Sequence, residues 1–217
     1  MKKIISLVLA LTLIVGCVFA FTSCGEAEGK SLAEVKKAGK LVVATSPDFP
    51  PFENLENGEV VGIEVDIMKL VCQELGVQLE IKQIPFDSVL PGIKAGKYDC
   101  GMSGITVNAD RQKNMLFTDP YYNAAQVIVV KADSAYASTA DLVDATLVAE
   151  MGSAGEAQIE GEDANADLAQ AEYVGMNKQT DCLMEVKAGT AAAAVLDMTL
   201  ANSMTGEGTD YADLEIV

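Results

Sequence analysis

The chain has 217 residues, half of them hydrophobic, with 15 basic side chains against 32 acidic ones and a net charge of −17. Such a length suits one large or two small domains around a packed core and argues against an intrinsically disordered chain. So acidic a surface excludes nucleic acid as a partner, and the lack of any histidine or CxxC pair argues against a transition-metal site, a histidine-based triad or a bound cofactor.

Residues 1–23 stand apart from the core. Lys2 and Lys3 form a basic start, Ile4 to Phe21 is an almost unbroken apolar run, and Thr22-Ser23-Cys24 follows, which is the pattern of a secretion signal. Its removal leaves 13 basic against 32 acidic residues, a charge of −19, so anionic lipid headgroups would repel the mature surface. Cys72, Cys100 and Cys182 lie in apolar patterns and read as small buried hydrophobes, with a Cys72–Cys100 disulfide as the lesser alternative.

Ser31-Leu-Ala-Glu34 is a capping box that opens a short helix, and Gly39 ends it. Leu41 to Thr45 reads as a buried strand that runs into Ser46-Pro47-Asp48-Phe49-Pro50-Pro51-Phe52-Glu53, where three prolines predict an exposed loop holding two aromatics. Asn57-Gly58 is a turn, and Ile67, Leu70, Val71 and Leu75 follow helical spacing up to Gly76. Val77 to Ile84 alternates as a strand, Phe86 opens a helix that reaches Ala95, and Cys100 to Met102 is a third strand. That alternation implies a parallel sheet with right-handed crossovers, in which ligands sit beyond the carboxyl ends of strands. Ser46–Phe52, Phe86 and Ser103–Arg111 all lie at those ends.

Phe117 to Tyr122 breaks the pattern, and Ala124 to Lys131 is a strand that crosses into a second lobe. There Thr146 to Ala149 predicts a strand, Glu150 to Gly155 a Gly-Ser turn into a helix, Ala171 to Val174 a strand, Lys178 to Ala188 a helix, and Ala191 to Leu196 a strand ending at Asp197.

Arg111 follows the N-cap Asn108 beside the small residues Ser103, Gly104, Ile105 and Thr106, so a guanidinium fork meets free amides and hydroxyls. The Gly152–Ser153–Ala154 turn offers a second set of amides at a helix start. Asp197 suits an ammonium, and Phe49 and Phe86 can wall an apolar stem or meet a cation over the ring face. Together these groups complement a free α-amino acid. Singly, Arg111 reads as a solvated helix charge, Phe49 and Phe86 as loop-packing core, and Asp197 as a helix cap. Their shared position at strand ends favours the site.

The stretches TSPDFPPFE (45–53), GEVVGIEVDIM (58–68), FDSVLPGIKAGKYDCGMSGITVNADRQKNMLFTDPYY (86–122), DLVDATLVAEMGSAGE (141–156) and LMEVKAGTAAAAVLD (183–197) resemble the extracellular solute-binding proteins of polar amino acid ABC importers, family 3. The resemblance implies an α/β fold of two lobes, a type II periplasmic-binding-protein-like architecture, each lobe a mostly parallel sheet flanked by helices and closing on the ligand by hinge motion. The expected organisation is a lipoprotein signal peptide over 1–23, tether and first helix over 24–40, lobe 1 over 41–126 and lobe 2 over 127–217. In its terms Arg111 takes the ligand α-carboxylate with help from Thr106 and the Gly152–Ser153–Ala154 turn. Asp197 takes the α-amino group, with the Gly104 carbonyl and the Thr106 hydroxyl as further acceptors, and Phe49 and Phe86 flank the side chain. The start resembles a bacterial lipoprotein signal, with Cys24 favoured over Cys17 for lipidation because the polar tether begins directly after it. The implied protein is a monomer, exported and lipid-anchored outside the cytoplasmic membrane, which hands an amino acid to a membrane permease. Ser46 and Gly104 replace larger polar groups of some relatives, which leaves the side-chain preference open, and Ala154 replaces a common second hydroxyl. Similar proteins continue beyond Val217 into a return strand and closing helices, so the chain reads as truncated. Two other functions share the fold: a cyclic-acid dehydratase, with Asp48, Glu53 or Glu150 as acid or base, and a sensory input module.

Overall fold

The computed structural model describes residues 29–161 and 164–217, so the signal-peptide expectation and both candidate lipidation cysteines, Cys17 and Cys24, lie outside the described residues. Helix α1 (Leu32–Ala38) starts on Ser31, whose hydroxyl accepts from the Glu34 amide while Glu34 reaches back to the Ser31 amide, and ends on Gly39. Strand β1 (Lys40–Thr45) then forms the middle of a parallel three-stranded sheet, between β5 (Gln78–Gln83) and the short β6 (Cys100–Gly101). Helix α2 (Ile63–Leu75) covers this sheet, and Val35, Leu41, Val43, Met68 and Cys72 form its core. After β5 a single 3-10 turn (Phe86–Ser88) leads into α3 (Val89–Lys94), and Asn108 caps α4 (Ala109–Asn114) by accepting the Arg111 amide at 2.8 Å.

The proline-rich stretch differs from the loop expected. Asp48–Phe49 is a strand, β2, paired antiparallel with β3 (Glu53–Glu56), which pairs in turn with β4 (Glu59–Val61). Pro50 and Pro51 occupy the connection between β2 and β3, where no ladder amide is needed, so proline breaks nothing there. Phe49 and Phe52 are buried rather than exposed.

The second lobe is a five-stranded sheet in the order β11-β7-β10-β8-β9, built from β7 (Gln126–Lys131), β8 (Thr146–Glu150), β9 (Glu172–Met176), β10 (Ala193–Asp197) and β11 (Leu214–Ile216). Strand β10 runs parallel to β8 and β8 to β9, while β7 is antiparallel to both β10 and β11. Both faces are covered, and the period-two alternation of strands divides their residues between them. Val129, Val148, Ala194 and Leu196 pack on one face with α6 (Gln179–Ala188) and α7 (Met198–Met204). Val130, Leu147, Ala149, Ala193 and Val195 pack on the other with α5 (Ala154–Glu160). Cys72, Cys100 and Cys182 are free thiols. Among the described residues no helix is long and apolar enough to cross a membrane, and no group of three metal-ligating side chains comes together.

Candidate ligand-binding site

The carboxyl ends of β1, β6, β8 and β10 face one another across a cleft between the lobes. Its walls include Phe49, Phe86, Gly104, Thr106, Arg111, Ser153, Ala154 and Asp197, together with Ser46, Asp48, Glu53, Ser103, Gln126, Glu150 and Gln179. The structure therefore brings eight of the nine residues named from the sequence into one cleft, with Gly152 alongside. The lobes stand close: about 20 Å³ of free space remains between these groups, room for about one water, so an amino acid enters only when the lobes part.

Arg111 already spans the gap. One terminal nitrogen donates to the Thr106 carbonyl at 2.6 Å and the other to the Gly152 carbonyl of the second lobe at 2.8 Å. A guanidinium has five N–H donors, so three remain for a ligand carboxylate, and burial lowers its pKa without removing its charge at neutral pH. The amides of the Gly152 turn differ from expectation. Gly152 N–H donates to the Glu156 carboxylate at 2.7 Å and Ser153 N–H to the Glu150 carbonyl at 3.1 Å, while the Ser153 hydroxyl caps α5 through the Glu156 amide. A helix start satisfies its own donors first when a capping side chain is at hand. Asp197 serves two purposes. One oxygen caps α7 through the Thr199 amide at 2.8 Å, its own amide donates to Gln179 at 3.0 Å, and the carboxylate also lines the cleft.

Gly104 is fixed by its surroundings. Its φ is +56°, and a Cβ there would lie 2.7 Å from the Phe49 ring. Its amide donates to Glu64 at 2.9 Å, and Glu64 also accepts from the Tyr121 hydroxyl. Glu64 lies in the first turn of α2 and is 1% exposed, and Glu53 is fully buried. Burial first, then the Glu64 carboxylate, pushes Glu53 up to about 11, so it holds its proton at neutral pH.

The sequence reading missed how acidic the cleft is. Burial raises Asp48 and Asp197 as well, and Glu150 is pushed up to about 8 by burial and then by the charge of Asp48. One Glu150 oxygen, one Asp48 oxygen and both Glu53 oxygens are buried without a hydrogen-bond partner. The available signal was that Asp48, Glu53 and Glu150 all fall at strand ends. Beside the cleft lies a larger space of about 250 Å³, walled by Phe52, Ile105, Val107, Phe117, Tyr121 and Tyr122. It is the roomier of the two, but Arg111, Ser153 and Gln179 lie in the smaller one, and chemistry decides between them.

Two α/β lobes that clamp a cleft carrying one guanidinium and several unpaired carboxylates define a solute-binding protein. The chain belongs to the bacterial extracellular solute-binding proteins, family 3, whose profile matches residues 41–204. It is 31% identical over 188 residues to the arginine-binding extracellular protein ArtP of Bacillus subtilis, covering 86% of this chain and 71% of that one. It is 35% identical to a probable histidine-binding protein of Neisseria gonorrhoeae, of which it spans about half (52%). Holo ArgBP of T. maritima superposes with a TM-score of 0.75 at 36% identity, over 86% of this chain and 80% of the other. An ancestral amino acid-binding protein, AncCDT-1, described as a precursor of cyclohexadienyl dehydratase, gives 0.75 at 31% identity over 87% and 81%. These relatives are named for binding, and the chain is a binding protein rather than an enzyme.

Proposed function

We propose that the chain binds a free amino acid with a cationic side chain, arginine first among them, and presents it to the permease of an ABC importer. The observation that carries this reading is the charge of the cleft: one arginine faces Asp48, Glu53, Glu150 and Asp197. Arg111 suits the α-carboxylate and Asp197 the α-ammonium, which leaves Asp48 and Glu150 for a second positive charge. Buried carboxylates without partners favour a ligand that supplies a cation, and an anionic side chain there would be repelled. Phe49 and Phe86 flank the stem. The names of the relatives, arginine-binding and histidine-binding, agree with the same ligand class. The lobe boundary at 126/127, the signal peptide over 1–23, lipidation at Cys24 and a monomeric state remain part of this proposal and are supported by the sequence pattern alone.

A panel of amino acids in a thermal-shift assay tests the reading, since a ligand that binds only the folded chain raises its melting temperature. Arginine, lysine or histidine should raise it and glutamate should not. Arg111→Ala should then weaken binding at least ~30-fold, because truncating one member of a desolvated charge pair costs about 2–5 kcal/mol. Equal shifts from neutral and cationic amino acids would overturn the ligand class.

A further inference from the structure

Glu150 is the last residue of β8, 4% exposed, and lines the cleft with one carboxylate oxygen that nothing bonds. Asp48 lines the same cleft from β2 of the other lobe. One of its oxygens is likewise buried and unpartnered, and the other accepts from the Ser46 hydroxyl at 3.1 Å. The groups that act on Glu150 come from three elements: Asp48 on β2, Asp87 in the 3-10 turn after β5, and Gln179 and Asp181 in the first turn of α6, with the Cys182 thiol behind them. Among these, only the Gln179 side chain favours the ionised form. Lys178, at the N-cap of α6, acts on Asp48. Asp197, Glu53 and Arg111 complete the ring.

We propose that Glu150 and Asp48, one from each lobe, form the element that senses side-chain charge: a cationic side chain seated between them takes the place of the proton on Glu150 and bridges the lobes. The proposal rests on the cationic amino acid reading and deepens it. Two carboxyl groups brought together from opposite lobes cannot both ionise in a desolvated cleft, so closure over a neutral ligand leaves Glu150 protonated. The pKa of about 8 for the closed cleft agrees with that. A guanidinium or ammonium reverses the balance. The Glu150 O–H bond breaks, the proton passes to solvent, and the resulting carboxylate pairs with the ligand cation, whose charge is also shared with Asp48. No oxidant or second reactant is involved. Selectivity then comes from the two faces together: a neutral isostere of arginine can fill the same volume but cannot draw the proton away.

The experiment is calorimetric titration of the full chain with arginine and with its neutral isostere citrulline, in buffers of different ionisation enthalpy. Near pH 7 arginine should release close to one proton, since a group titrating at about 8 is then roughly nine-tenths protonated. Citrulline should release none. The affinity for arginine should rise about tenfold from pH 6 to pH 7 and level off above pH 8. Glu150→Gln keeps the shape, should abolish the proton release and the pH dependence, and should lower the preference for arginine over citrulline at least tenfold. The wild-type comparison of the two ligands stands even if that variant folds poorly. Arginine binding without proton release, or the same release from Glu150→Gln, would overturn the Glu150 assignment while leaving the ligand class intact. Tighter binding of citrulline than of arginine would overturn both.

Discussion

Two contacts between the lobes, here called ends, are held by opposite physics. At one end Phe49, Phe52 and Leu200 form an apolar cluster that joins the lobes, with Met204 against it and Tyr122 edge-on to Phe52 at 4.9 Å. At the other, Asp48 and Glu150 line one cleft with Asp87 and Asp181 close enough to act on Glu150, and with the Ser46 hydroxyl, Lys178 and Gln179 to offset them. The apolar end gains from closing whatever lies in the cleft, because burial is non-directional. The acidic end resists closing until it holds a proton or a cation. A clamp built in this way has a permanently adhesive apolar contact and a conditional acidic one, so the ligand's charge rather than its volume decides whether the closed form persists.

Weakening the adhesive end should produce the largest effect. Phe52 is 5% exposed and stacks on Phe49 with centroids 5.4 Å apart. Phe52→Ala should cost about 3–5 kcal/mol of stability in chemical denaturation, as aromatic-to-alanine changes in cores do. It should also weaken arginine binding, since part of the buried surface belongs to the closed form alone. A loss below about 1 kcal/mol would mean that the aromatic cluster is not what joins the lobes.

The acidic end predicts a dependence on pH. Asp48, Glu53, Glu150 and Asp197 are all raised above their ordinary values on folding. The folded chain therefore holds more protons than the unfolded one above the ordinary carboxyl range, and stability must fall as pH rises. For Glu150 the stabilisation is complete below about 4.5, is lost progressively up to about 8, and then levels off. That slope is at most about 1.4 kcal/mol per pH unit for one such group. The ligand-free chain should melt lower at pH 8 than at pH 5, and Glu150→Gln should flatten the curve. A chain that melts higher at pH 8 would contradict the acidic end as drawn.

What the sequence made legible follows the range of the interactions concerned. Asn108, Arg111 and the capping box at Ser31 are local patterns, and they fold as local rules require. The unbroken apolar run that ends at Leu196 marks a strand with two buried faces, and Asp197 at its end both caps α7 and lines the cleft, so its bland and sharp readings hold together. The β2–β3 pairing was hidden because proline was read as forbidding a strand where it only occupies the connection. The acidity of the cleft was hidden for another reason. Asp48 and Glu150 are 102 positions apart, and nothing within either segment records that the lobes bring them together. The burial of Glu64 was hidden too, because acidic residues suit any helix start, buried or not.

The smallest effect separates the hydroxyl of Tyr122 from its ring. Tyr122 is half exposed, its ring meets Phe52, and its hydroxyl lies 3.2 Å from the Thr199 hydroxyl of the second lobe. A hydrogen bond between neutral groups adds about 0.5–1.5 kcal/mol net, and one open to water falls at or below the low end, because water replaces the lost partner. Tyr122→Phe keeps the ring contact and removes only that bond, so arginine affinity should fall less than about threefold. Tyr122→Ala removes the ring as well and should cost clearly more, in both affinity and melting temperature. The difference between the two variants measures how far burial alone holds the apolar contact shut. If Tyr122→Phe lost as much as Tyr122→Ala, a directional contact between the lobes would be the adhesive element, and the contrast between a sticky end and a conditional end would have to be drawn from the Tyr122–Thr199 bond instead.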